Sequence, residues 1–186
     1  ACHISTLADA LEIGKVCDDY GFYWYEDPYK DGGVSINGNT VLSKNLSTPI
    51  LVGEHVRNLE TSVDMLVNGA SFFSRADPDY DGGITGCHKL VVSSEGLGVD
   101  CEIHSCGPAM RQLMGASRNS NFYEINLLHP KCSNPWSLPV YLNEYSDEMN
   151  CIDKNGNVEV TDKPGLGIDY DWKYIQKKSL EKIVIK

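Results

Sequence analysis

The chain reads as an α/β protein built on a parallel sheet and followed by an irregular C-terminal tail. Three observations predict this. Short runs of aromatic, apolar or β-branched residues alternate with stretches of helical periodicity over residues 1–130. Each run is closed by, or carries, a carboxylate or a histidine. Beyond Pro130 the alternation stops, and residues 131–168 become rich in Asn, Asp, Gly and Pro.

The elements follow in order. Residues 5–20 place Leu7, Leu11, Ile13, Val16, Cys17 and Tyr20 near one broad helical face, with Ser5 or Thr6 able to cap the start and Gly21 at the end. Phe22-Tyr23-Trp24-Tyr25 is a first strand. Residues 34–46 carry a helical pattern interrupted by Gly38 and two Asn residues. Pro49-Ile50-Leu51-Val52 is a second strand. Residues 59–68 put Leu59, Val63, Leu66 and Val67 at helical spacing, with Asn58 before them and Gly69 after. Ser71-Phe72-Phe73-Ser74 is a third strand, and residues 84–95 follow as a helix with Cys87, Leu90, Val91 and Ser94 on one side. Val99-Asp100-Cys101-Glu102-Ile103 is a fourth strand, after which Pro108 suits a first helical position. Phe122-Tyr123-Glu124-Ile125-Asn126-Leu127 is a fifth run of strand composition. In the tail, Val158-Glu159-Val160 after the Asn155-Gly156 turn reads as a short strand, and a last helix begins near Asp169. This divides the chain into a strand–helix part, 1–130, and a C-terminal extension, 131–186.

Composition narrows the function. The 186 residues carry 16 Lys and Arg against 26 Asp and Glu, a net charge of −10. That balance argues against nucleic acid and against an anionic membrane surface as partners. No apolar run is long enough for a transmembrane helix. Seven cysteines without Cys-x-x-Cys spacing read as reduced thiols of a cytoplasmic protein.

The chemistry lies in what ends the runs. Glu26, Glu54, Asp77, His104 and Glu124 follow one another at intervals of 28, 23, 27 and 20 residues. Those are βα-unit lengths, so in a parallel sheet these side chains meet on one rim, where barrel enzymes keep their sites. Four carboxylates and an imidazole on one rim repel unless a cation intervenes. Glu26 and Glu54 are hard oxygen donors suited to Mg²⁺. Asp77 and His104 form a pair in which the carboxylate orients the ring. Glu124 can donate a hydrogen bond where its neighbours keep it protonated. His55, Arg75 and Tyr29 stand close enough in sequence to reach a substrate. Taken singly, each motif has a plainer explanation. The loop starting at Asp77 lacks the twelfth-position Glu of an EF-hand, and Gly82-Gly83-Ile84-Thr85-Gly86 lacks the Walker Lys.

Taken together, Tyr25-Glu26-Asp27-Pro28, Gly53-Glu54-His55, Arg75-Ala76-Asp77, Gly82-Gly83-Ile84-Thr85-Gly86, Glu102-Ile103-His104 and Phe122-Tyr123-Glu124 resemble the enolase superfamily, mandelate racemase/muconate lactonizing enzyme branch. Pro164-Gly165-Leu166-Gly167-Ile168-Asp169 is similar to that branch's ending. The resemblance implies a modified TIM-type (β/α)7β barrel, of which residues 1–130 are the last five strands. It implies that Glu26 and Glu54 are metal carboxylates for Mg²⁺, that Asp77 and His104 are the general-base dyad, and that Glu124 hydrogen-bonds the developing enediolate. The branch's first metal Asp and its Lys-x-Lys base belong to earlier strands, and no Lys-x-Lys occurs in this chain. The expectation is therefore a C-terminal barrel portion of a homo-oligomeric enzyme whose capping domain and first strands lie elsewhere. Its substrate would be a small carboxylate or sugar acid, dehydrated to a 2-keto-3-deoxy acid. The alternatives are a racemase or epimerase of a 2-hydroxy acid, or a catalytically incomplete fragment that needs the N-terminal half.

Overall fold

The computed structural model describes residues 6–30, 35–125, 129, 131–132, 139–142 and 144–184. Four strands, β1 (Tyr25–Glu26), β2 (Ile50–Val52), β3 (Phe73–Ala76) and β4 (Asp100–Ile103), lie in the order β1-β2-β3-β4, every neighbour pair parallel. Between and around them run α1 (Leu7–Tyr20), α2 (Ile36–Asn45), α3 (Leu59–Val67), α4 (Gly83–Gly96) and α5 (Pro108–Gly115). Sequential parallel strands need a crossover helix each, which is the βα repeat expected from the alternation.

Local chemistry starts and stops these helices. Thr6, Ser35 and Asn58 each accept a backbone N–H of the first turn through the side chain, at the starts of α1, α2 and α3. Pro108 opens α5, and Gly21 closes α1 in the left-handed region at φ 64°. The buried stripe of α1 is narrower than its apolar content suggests: Ala10, Gly14 and Cys17 are buried, whereas Leu7, Ile13, Val16 and Tyr20 are exposed. The reason is close approach. α1 packs on α2 at Gly14, where any Cβ would run into the Leu46 side chain, so the small residues face the neighbour.

The core forms two clusters. Ile50, Val52, Tyr25, Leu42 and Met65 pack with Ala10 and Cys17, while Ala76, Cys87, Leu90, Cys101, Ile103 and Leu113 pack around α4 and α5. Burying side chains of this size contributes about 1.5–3 kcal/mol each, enough to hold short strands whose ladders are sparse.

Two expected strands are corrected. The run from Phe122 forms no ladder over 122–125, and 126–128 lie outside the described residues. The cause is Glu102, which is fully buried and accepts the backbone N–H groups of Asn121 and Phe122, each at 3.1 Å, and the Asn121 side-chain amide at 2.8 Å. A carboxylate takes the donors a β4 ladder would need. In the tail, Val158 makes only an isolated antiparallel bridge to Ile152 across the Asn155-Gly156 turn. The final helix, α6, runs Trp172–Lys178 and is capped by Asp171. Arg111 of α5 anchors the tail by reaching Asp147 at 2.5 Å and the carbonyl of Ser146 at 2.7 Å. No helix among the described residues is long and apolar enough to cross a membrane.

Candidate active site

The parallel sheet delivers one side chain per strand end to a common rim. Glu26 closes β1, Glu54 follows β2 by two residues, Asp77 follows β3 and His104 follows β4. β3 and β4 pair at Arg75↔Glu102 and Ala76↔Ile103, so Asp77 and His104 emerge side by side. His104 Nδ1 lies 2.5 Å from Asp77 Oδ2, and His104 Nε2 lies 3.0 Å from Glu54 Oε2. A ring with a carboxylate on each nitrogen must donate from both, which is the imidazolium form. Burial opposes that charge, but the bonds to Asp77 and Glu54 outweigh it and push the ring's pKa up to about 10.

Asp77 is itself braced. Its Oδ1 accepts the N–H of Asp79 at 2.7 Å, and its own N–H donates to Asp81 Oδ2 at 2.9 Å. The Asp-rich loop is thus a turn that holds the His104 partner, at 2% exposure. Glu54 is pulled below the usual carboxylate range by the hydrogen bond from His104, against burial. Glu26 is pushed up by burial, with the Arg75 charge partly offsetting it.

Arg75 sits under this rim, 6% exposed. Its guanidinium is 2.9 Å from Glu26 Oε1, 3.1 Å from Glu124 Oε2 and 3.9 Å from Glu54 Oε2. Glu124 also accepts the backbone N–H of Ser105 at 2.5 Å, again through Oε2. Ser105 is one of three described non-glycine residues with positive φ, at 67°. That strained turn directly after His104 is what aims its N–H at Glu124.

Six of the side chains singled out from the sequence, Glu26, Glu54, Arg75, Asp77, His104 and Glu124, therefore form one contact network. His55 joins it through Glu54 at 3.3 Å. Tyr29 stands apart: its ring packs beside Gly38, and its hydroxyl is buried without a hydrogen-bond partner. It lines a small cavity with Asp27, Asn39 and His55.

The sequence reading passed over Asp27. It is 4% exposed, and its Oδ2 is buried with no hydrogen-bond partner. Burial, then the charges of Glu54 and Glu26, push its carboxyl up to about 7. Asp27, Glu54 and His55 bring donor atoms within 4.8 Å of one another, the arrangement a cation needs. Alternation along a strand puts Asp27 on the opposite face from Glu26. Its backbone is in the left-handed region at φ 37°, which alternation does not anticipate, and its carboxyl lies with Glu54 and His55.

A family model described as enolase C-terminal domain-like matches residues 1–174. A D-galactonate dehydratase family member from Musicola paradisiaca is 31% identical over 171 residues, covering 88% of this chain and 38% of that protein. D-xylonate dehydratase of Haloferax volcanii is 24% identical over 186 residues, covering 97% of this chain and 42% of its own length. Among solved structures, D-glucarate dehydratase from Agrobacterium tumefaciens, crystallised with magnesium, superposes with a TM-score of 0.78 at 27% identity, over 94% of this chain and 44% of that one. The chain thus spans about two-fifths of the length of the curated relatives it matches.

Proposed function

We propose that this chain, which belongs to the enolase C-terminal domain-like family, forms the C-terminal barrel portion of an enzyme that removes the proton alpha to a carboxylate, and that the reaction is dehydration of a sugar acid to a 2-keto-3-deoxy acid. The observation that carries the reading is the Asp77–His104–Glu54 chain of contacts, at 2.5 and 3.0 Å, on the same rim as Glu26 and Glu124. The dehydratase names of its relatives favour dehydration over racemisation.

The residues present fit a hard divalent cation. The orphaned, buried Oδ2 of Asp27 is a donor in want of a partner, and the surrounding groups are carboxylates and an imidazole. Magnesium is the ion in the glucarate dehydratase crystal. Here Glu26 and Glu54 would hold it, with Asp27 and His55 adjoining. When bound, it supplies positive charge where the substrate carboxylate takes up the electrons of the broken C–H bond.

The chain's own residues do the rest. Once Glu54 turns to the cation, His104 Nε2 is released and exchanges a proton with the substrate, either taking it from the alpha carbon or delivering it to the departing hydroxyl; the lysine base that the family resemblance assigns to the N-terminal part of the enzyme takes the opposite role. Asp77 fixes the ring tautomer and stabilises the imidazolium. Glu124, tied down through Oε2 by Arg75 and Ser105, turns its other oxygen to the substrate. As the α C–H bond breaks, its electrons pass into the carboxylate as an enediolate; they return to form the Cα=Cβ bond as the β C–O bond breaks, and the hydroxyl leaves as water with the proton delivered to it. The resulting enol tautomerises to the keto acid.

The test is His104→Asn in the full-length protein. Dehydration and solvent-deuterium exchange at the alpha carbon should both fall about 10²–10⁴-fold. Survival of both near wild-type rates removes His104 from the chemistry. Trapping the product with semicarbazide decides the reaction class: a 2-keto acid means dehydration, and an inverted 2-hydroxy acid without it means a racemase or epimerase.

A further inference from the structure

Three carboxylates gathered on one buried guanidinium is the charge pattern of a cation site whose cation is a side chain. Arg75 makes that pattern with Glu26, Glu54 and Glu124, and it sits deeper than any of them. Both oxygens of Glu26 are engaged: Oε1 is on Arg75, and Oε2 accepts from Trp24 Nε1 at 3.3 Å. In keeping with that, Glu26 is outside the group of donors that could chelate as it stands, which comprises Asp27, Glu54 and His55. Arg75 is not locked in place by a complete set of hydrogen bonds, because its buried Nε lies 3.9 Å from Glu54 Oε2, beyond hydrogen-bond distance. A donor left unsatisfied makes the present arrangement costly enough to be exchanged for another.

We propose that Arg75 is the internal counter-cation of this site: it keeps Glu26 and Glu54 together when no metal is bound, and it must release Glu26 before a divalent cation can take both carboxylates. The proposal rests on the reading that these carboxylates hold a divalent cation. Two consequences follow from charge alone. The site is assembled before metal arrives, since Arg75 already offsets part of the charge of its carboxylates. It would also bind metal less tightly than the same site without the guanidinium, because two cations compete for Glu26 and repel each other.

The experiment is a Mn²⁺ titration of the full-length protein, followed by the loss of the free-ion EPR signal. It compares wild type with Arg75→Gln, Arg75→Lys, Glu26→Gln and the double variant Arg75→Gln/Glu26→Gln. Arg75→Gln should bind Mn²⁺ about tenfold more tightly or better, since a positive charge leaves the ligand sphere. Arg75→Lys should stay near wild type. The double variant should bind no more tightly than Glu26→Gln alone, because Arg75 acts through Glu26. Equal affinity of wild type and Arg75→Gln overturns the proposal, as does a gain of the double variant over Glu26→Gln. Failure of all five to bind Mn²⁺ overturns the cation reading and this proposal with it. If Arg75→Gln is partly unfolded without metal, the rise in Tm on Mn²⁺ saturation replaces the affinity. A rise no larger than that of wild type is the overturning result.

Discussion

Removing Asp77 or Glu54 from His104 should change when the ring loses its proton, and the structure sets the size of the effect. The ring's pKa goes from an ordinary 6.5 to about 10 because two carboxylates accept from it. The sign follows from linkage. The folded state holds a proton that the unfolded state has released between about pH 6.5 and 10, so this contribution to stability is complete below that window and is lost as pH rises through it. The full shift would correspond to about 5 kcal/mol, but solvent reaches the ring and screens it, so about 2 kcal/mol is the expected loss. The assay is ¹⁵N NMR of the histidine rings in metal-free protein, with His104 assigned by its absence in His104→Asn. Asp77→Asn and Glu54→Gln should each lower the titration midpoint by about 1–3 units. Adding Mg²⁺ should lower it too, as the cation claims Glu54. Urea melts across the same window should show wild type losing stability that His104→Asn does not lose. An imidazole that titrates near 6.5 in the metal-free wild type would refute the paired-ring argument.

Other positions carry sharp expectations. A Cβ at Gly53 would collide with the backbone oxygen and Cβ of Arg75, so Gly53→Ala should push β2 off β3 and cost about 3 kcal/mol or more, read as a lowered urea midpoint. Cys87 and Cys101 are fully buried, with thiols pushed up to about 12 chiefly by burial. Mass spectrometry after iodoacetamide at neutral pH should find them unmodified and the exposed Cys132 labelled. Asp147 accepts from both Arg111 and the Tyr123 hydroxyl at 2.5 Å, so Asp147→Ala should leave a half-buried guanidinium without its counter-charge, held by the Ser146 carbonyl. The cost is about 3–5 kcal/mol, and limited proteolysis should cut the released tail first.

The repeat of strand and helix was legible because it rests on local chemistry. Thr6, Asn58, Pro108 and Gly21 stand where caps and breaks were expected, and helix bounds need little beyond such residues. The rim was legible for a related reason. Parallel strands all end on one side, so Glu26, Glu54, Asp77 and His104 converge from their spacing alone. What spacing could not carry is who partners whom. Glu102 reads as a strand residue, yet its buried carboxylate takes the amides that would have paired the run from Phe122. Arg75 reads as a group near the substrate, and its ion pairs with three carboxylates appear only in the fold. Asp27 and Ser105 act through backbone angles, φ 37° and 67°, which nothing in their residue types announces. Periodicity and capping are interactions between near neighbours, and one chain records them directly. Ion pairing and strained turns depend on distances across the sheet and on which groups are buried, and those quantities exist only once the strands have come together.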